Sequence, residues 1–214
     1  VNFFLKRKVD TAFGVTGGGA MFLNEAFRKN KINFIFTHQE QSASMAAEAY
    51  SRIAKKPAIL SVTTGPGGTN AITGVTGAWI DSIPMIVISG QVMKKDMINK
   101  TKTRQIGVQE INILDVIKPI TKYSVLIKDD KNLEKILNDA YLHATTGRPG
   151  PVWIDVPLDV QSKKINIKLN KNVKKSNNKK SVLKLLTNNN IKLAILSAGV
   201  GYITMSTLMT ATPI

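Results

Sequence analysis

One carboxylate stands where a helix should begin: Glu40, in HQEQSASMAAEAYSR (residues 38–52), directly after the apolar run INFIF. An acid there either complements the helix macrodipole or meets a ligand at the end of a buried strand, where it can exchange a proton. Two glycine-rich segments would give such a ligand room. GVTGGGA (residues 14–20) lets backbone approach a ligand closely and exposes amides at a helix start. TTGPGGTNAITG (residues 63–74) makes a turn from Gly65, Pro66, Gly67 and Gly68, with Thr69 or Asn70 placed to cap the helix that follows. SGQV adds the Gln91 amide at a strand end, and DSIP sets Asp81 at a helix end or turn, with Pro84 fixing entry into the next strand.

Composition removes other chemistries. The chain has 214 residues, 43% of them hydrophobic, enough for a full domain and part of another. With no cysteine there is no disulfide, thiolate metal site or cysteine nucleophile, and His38 and His143 are too few for a multi-histidine centre. No metal ligands are therefore assigned. No run is long and apolar enough to cross a bilayer, and VNFFLKRKVD places charge after its apolar residues, the reverse of a signal peptide; a cytoplasmic protein is expected. The net charge of +16 suggests nucleic acid until it is located: ten of the lysines fall between residues 161 and 192, a stretch without Asp, Glu or any aromatic residue to stack on bases. That stretch reads as a solvated basic linker, and neither nucleic acid nor membrane is expected as a partner.

The elements that must position these residues alternate along the chain. Apolar, β-branched runs at 11–16, 32–37, 58–64, 84–90, 123–127 and 151–157 read as strands, most of them continuous enough to be buried on both faces. Helical patterns lie at about 19–29, 40–54, 69–80, 111–117 and 131–145. The alternation predicts an α/β fold: a doubly wound, mainly parallel sheet with helices on both faces. Ligands bind such sheets at the carboxyl ends of the strands. A dinucleotide site is the obvious competitor, since Gly17 and Gly19 form G-x-G and Glu40 mimics the ribose-binding acid, but Phe22 stands where the third glycine belongs. Nor is TTGPGGT a P-loop, because no lysine follows its glycines.

FGVTGGGA, HQEQSASMAAEAYSR, TTGPGGTNAITG, DSIPMIVISGQV, VQEINILDVIKPITKY and TGRPGPVWIDVPLDVQ together resemble, in order and spacing, the pyrimidine-binding domain of thiamine diphosphate enzymes, most closely the acetolactate (acetohydroxyacid) synthase branch. The resemblance covers residues 1 to about 162. It implies that Glu40 hydrogen-bonds ring nitrogen N1′ of the cofactor's aminopyrimidine and relays the proton that activates the thiazolium carbon for attack on a 2-oxo acid such as pyruvate. It further implies that Gly17 and Gly18 lie beside the cofactor, that Asn70 and Gln91 lie near the pyrimidine or the substrate cleft, and that Lys122 lies near the entrance. The segment before Gln109 and Glu110 shapes the substrate pocket, and there Val108 replaces the family's aromatic residue. Gln39 likewise stands where acetolactate synthases usually carry histidine. The loop from Gln91 to Pro119 is longer than usual and basic, through Lys94, Lys95, Lys100, Lys102 and Arg104.

The resemblance also implies domains and partners. Residues 1–162 would be the pyrimidine-binding domain, 163–190 the basic linker, and 191–214, beginning IKLAILSAGVGY, the start of a central domain, the place for FAD if the full-length protein binds it. Diphosphate and Mg²⁺ would be held by a domain with a G-D-G…N motif, absent here, contributed by another subunit of a homodimer or tetramer. The expectation is therefore the N-terminal part of a carboligase, inactive alone, with a related 2-oxo acid decarboxylase or a non-catalytic split subunit or remnant as alternatives.

Overall fold

The computed structural model describes residues 1–98 and 103–164, which belong to one compact unit, Val1–Leu169. The linker after Lys164, the stretch 191–214, Lys100 and Lys102 lie outside the described residues. In chain order the elements are α1 (Asn2–Leu5), β1 (Thr11–Gly14), α2 (Met21–Lys29), β2 (Asn33–Phe36), α3 (Glu40–Ala54), β3 (Ala58–Val62), α4 (Pro66–Asn70), α5 (Ile72–Ile80), β4 (Met85–Gln91), α6 (Ile113–Ile117), β5 (Tyr123–Leu126), α7 (Leu133–Thr145), β6 (Pro151–Pro157) and α8 (Leu158–Gln161).

All six strands pair in parallel, in the order β2-β1-β3-β4-β6-β5. Strand side chains alternate between two apolar layers, as a pleat of period two requires. Ile59, Ile86, Ile88, Val152 and Ile154 face Phe3, Phe4, Phe27, Ala140, Ala144 and Val160 on one side. Leu60, Val62, Met85, Val87 and Trp153 face Ala43, Ala47, Val75, Ala78, Ile113 and Ile117 on the other. Burial on both faces explains why β3, β4 and β6 read as unbroken apolar runs. The edge strands differ: β2 leaves Asn33, Ile35 and Phe36 exposed and β5 is half-buried throughout, since each has one neighbour.

The chain leaves β1 for α2 toward one face and β3 for α4 and α5 toward the other, which parts the connections between these adjacent strands. That reversal of strand order opens a crevice at the carboxyl edge. Gly14 marks how tightly the two strands pass, because a Cβ added there would come within 2.2 Å of the Ser61 carbonyl oxygen.

Candidate active site

The crevice is a cleft of about 440 Å³ lined by Gly17, Gly18, Gly19, Thr63 and Thr64 on one side and by Gln91, Val92, Met93, Gly107, Val108 and Gln109 on the other. Each glycine of the first turn does something different. Gly17 packs against Thr63, whose Cβ lies 2.5 Å from where a Gly17 Cβ would sit, while a Cβ on Gly18 would meet nothing. The Gly19 amide is spent inside the protein, donating to Thr63 Oγ1 at 3.1 Å. Of the exposed amides expected at this helix start, that one is accounted for by Thr63.

Glu40 opens α3 after β2, with Gln39 extended at the helix boundary and the Thr37 hydroxyl donating to the Gln39 carbonyl at 2.8 Å. The Glu40 carboxylate is half-buried. Asn70 Nδ2 donates to Glu40 Oε2 at 3.1 Å, and Oε1 lies over Gly67, 3.4 Å from where a Cβ would be. Thr63 touches the Cβ positions of both Gly17 and Gly67, so it links the glycine turn to the acid. The acid is not among the residues lining the 440 Å³ space; its Oε1 lies over Gly67, which packs on the lining residue Thr63.

Asn70 does not cap a helix, as the sequence suggested. The helix starts earlier, at Pro66, where the ring's fixed φ and missing N–H suit a first turn. Thr69 then donates to the Pro66 carbonyl at 3.2 Å, and Asn70, at the helix end, is released to hold Glu40. Gly65 supplies the turn, with φ +58° and no room for a Cβ beside the Gln109 carbonyl oxygen at 1.8 Å. Gln109 itself has φ +59°.

Gln91, Val108 and Gln109 line the far wall of the cleft, but Gln91 is not a free amide. Its Nε2 donates to the Ile111 carbonyl and to Asp155 Oδ2, each at 3.1 Å, and its Oε1 accepts from the Val92 amide at 2.9 Å. Val108 is 80% exposed and Gln91 only 2%. Lys122 is a correction. It precedes β5, so in a parallel sheet it lies at the amino edge, opposite Glu40. Its ammonium donates to the carbonyls of His143 and Thr146 at the end of α7, beside Trp79 and Arg148, and burial lowers its pKa. Within this chain it caps a helix rather than entering the cleft.

Two buried acids were missed. Asp155, in β6, takes the Ser89 hydroxyl on Oδ1 at 2.6 Å and Gln91 on Oδ2, and Trp153 Nε1 donates to Ser89 Oγ at 2.7 Å. Burial without a cationic partner pushes its carboxyl up to about 7, against the opposing pull of the Ser89 and Gln91 hydrogen bonds. Glu110, also buried, accepts backbone amides from Ile98, Ile106 and Gly107 and so gathers the wall segment. The signal for Asp155 was a single acid inside the apolar run PVWIDVP, since a carboxyl buried in a strand needs donors.

Comparison with known proteins agrees with this geometry. The family model described as "Thiamine pyrophosphate enzyme, N-terminal TPP binding domain" matches residues 3–114. The chain is similar to "Acetolactate synthase, chloroplastic" of Arabidopsis thaliana, 38% identical over 160 residues, which cover 73% of this chain and 22% of that protein. It is 38% identical over 159 residues to "Acetolactate synthase catalytic subunit, mitochondrial" of Saccharomyces cerevisiae, covering 72% of this chain and 22% of the relative. To "Acetolactate synthase large subunit" of Lactococcus lactis subsp. lactis it is 37% identical over 155 residues, 72% of this chain and 26% of the relative. The chain thus spans about a quarter of the length of these relatives. A match across residues 3–114, which contain β1 to β4, Glu40 and both glycine turns, makes this chain a member of the thiamine pyrophosphate enzymes, carrying their N-terminal TPP-binding domain.

Proposed function

We propose that this chain is the pyrimidine-binding part of a thiamine diphosphate-dependent carboligase of the acetolactate synthase kind, acting on pyruvate or another 2-oxo acid. The observation that carries the reading is the Glu40 carboxylate at the switch-point crevice, held through Oε2 by Asn70, with its other oxygen over Gly67. The residues present fit an aminopyrimidine. Its flat faces need glycines, and a Cβ on Gly18 would enter open space, so Gly18 presents bare backbone toward the cleft. Its ring nitrogen needs a carboxyl at the edge of a crevice, and Glu40 supplies one.

When bound, thiamine diphosphate supplies the electron sink for breaking and making the bond beside a 2-oxo acid carbonyl. The chain's part is positional and protonic. Asn70 fixes one oxygen of Glu40, so the carboxyl is oriented before any ligand arrives. Glu40 then holds or gives a proton at the ring nitrogen. Gly17 and Gly67, both packed on Thr63, keep the ring's approach clear of side chains. Val92, Met93, Val108 and Gln109 form the wall that a substrate side chain would meet.

Among the described residues no cluster of three His, Cys, Asp or Glu could hold a metal ion. Mg²⁺ and the diphosphate would take their ligands from another domain, and a second subunit of a homodimer or tetramer is the proposed source. FAD in a central domain, a role in branched-chain amino acid synthesis and a cytoplasmic location belong to the same reading. Among the described residues no helix is long and apolar enough to cross a membrane.

Val108, exposed where the resemblance implied an aromatic residue, favours a second reading in which the acceptor is a proton and the enzyme a decarboxylase. The test is calorimetric titration of the full-length gene product with thiamine diphosphate and Mg²⁺, followed by analysis of the products from pyruvate. Acetolactate supports the carboligase; acetaldehyde assigns the decarboxylase; no binding overturns both.

A further inference from the structure

We infer that Asp155 is a positioning residue: by fixing which way the Gln91 amide faces, it ties together the two ends of the segment that walls the cleft. Val92 and Ile111 are those ends, the first residue after β4 and the residue two before α6. One side chain holds both, since Gln91 Oε1 accepts the Val92 amide at 2.9 Å while its Nε2 donates to the Ile111 carbonyl at 3.1 Å. Val92 lines the cleft beside Gln91, and Gly107, Val108 and Gln109 approach it from the other end of the segment.

An amide can satisfy these two partners in one orientation only. Flipped by about 180°, it would set its NH₂ against the Val92 N–H and its oxygen against the Ile111 carbonyl. Asp155 Oδ2 enforces the working orientation by accepting from the same Nε2. At pH 8, where Asp155 is ionised, both its oxygens accept: the Ser89 hydroxyl donates to Oδ1 and is turned there because its own oxygen receives Trp153 Nε1. Donation converges on Asp155, from Trp153 through Ser89 on one side and from Gln91 on the other. The series lies along β4 and β6, where Val87 pairs with Trp153, Ser89 with Asp155 and Gln91 with Pro157. The four side chains project from the same face of the sheet, because their positions alternate by two. Trp153, Gln91, Ser89 and Asp155 are all buried, so water cannot repair a reversed link.

The inference is independent of which molecule the cleft takes, because its readout is the segment itself. Asp155→Asn has the same shape and the wrong hydrogen. Toward Ser89 the new NH₂ would meet the hydroxyl hydrogen that the Trp153 bond keeps turned to it, so the NH₂ faces Gln91, and the glutamine must flip and release Val92. Pairing it with Gln91→Glu reverses the polarity of the link: one oxygen of the introduced carboxylate accepts from the new amide and the other from Val92, while only the Ile111 carbonyl is left without a donor. The measurement is amide hydrogen exchange on the full-length product at pH 8, comparing Val92 with Leu60 in β3. In Asp155→Asn, Val92 is expected to exchange about tenfold faster or more with Leu60 unchanged, as for loss of one buried hydrogen bond. The double variant is expected to recover Val92 protection. Equal acceleration at Leu60 and Val92, unchanged exchange at Val92, or a double variant that does not recover would each overturn the inference. If Asp155→Asn does not fold, the double variant decides alone: folded with Val92 protected supports the inference, and unfolded refutes it.

Discussion

Asp155 also makes the stability of the protein depend on pH in an uncommon direction, and Asp155→Asn isolates that dependence. The folded protein holds this carboxyl at about 7, against an ordinary value of 3.8, because burial penalises its charge. Between those values the folded chain keeps a proton that the unfolded chain has released. Stability therefore falls as pH rises through this window, and the loss is complete above the folded value. The interval corresponds to about 4 kcal/mol, a large part of the ~5–15 kcal/mol that holds a domain together. Asp10 acts the opposite way: its hydrogen bond to Lys56 lowers its pKa, so its contribution is present above the ordinary carboxylate range and fades only below it. Subtracting the variant from the parent removes Asp10 and every other shared group. The assay is urea denaturation at half-unit steps from pH 4.5 to 8.5. The parent should lose stability steadily up to about pH 7.5, while Asp155→Asn, whose amide does not titrate, should lack that component. Parallel curves, or a parent that gains stability across the window relative to the variant, would refute the assignment of a neutral buried acid.

Three further outcomes follow from the packing. Gly65→Ala must place a Cβ against the Gln109 carbonyl at a φ of +58°, so it should destabilise by about 1–3 kcal/mol and loosen the Val108 wall, read as a lower urea midpoint. Gly90→Ala puts a Cβ 2.0 Å from the Gly19 carbonyl oxygen, backbone that cannot rotate away; thiamine diphosphate affinity of the full-length protein should fall as the glycine turn is displaced. Lys122→Met removes two hydrogen bonds to the end of α7, at His143 and Thr146, and should cost about 1 kcal/mol of stability. Because Lys122 sits at the amino edge of the sheet, cofactor affinity in that variant should stay unchanged.

Much of this was legible in the sequence. The strands were visible because burial on both faces writes continuous β-branched runs, as in MIVISG and PVWIDV, and Gly or Pro punctuates their ends. Glu40 was visible because an acid interrupts the step from an apolar strand to an alanine-rich helix. What depends on neighbours distant in sequence was not visible. β2 reads like its siblings, yet it is an edge strand because α3 carries the chain back past β1 to form β3. Asn70 looked like a cap, since nothing local reveals that a residue thirty positions earlier needs its amide. The first strand, read as 11–16, ends at Gly14, where the chain leaves the sheet for the turn in which Gly17 packs on Thr63. Lys122 could have been placed correctly from topology alone, as a residue preceding a strand lies at the amino edge of a parallel sheet. The Asp155 network, by contrast, joins two strands whose pairing only the fold reveals.

The central claim is that Glu40 exchanges the proton that activates the cofactor, and turnover by Glu40→Gln tests it most directly. The variant keeps the side-chain length and an oxygen that Asn70 can bond, so the full-length protein should bind thiamine diphosphate with Mg²⁺ nearly as the parent does. Its turnover of pyruvate should fall by roughly 10²- to 10⁴-fold, the scale of a lost general acid or base. Binding retained with turnover undiminished would contradict the proton role and leave Glu40 as a helix-terminal acid.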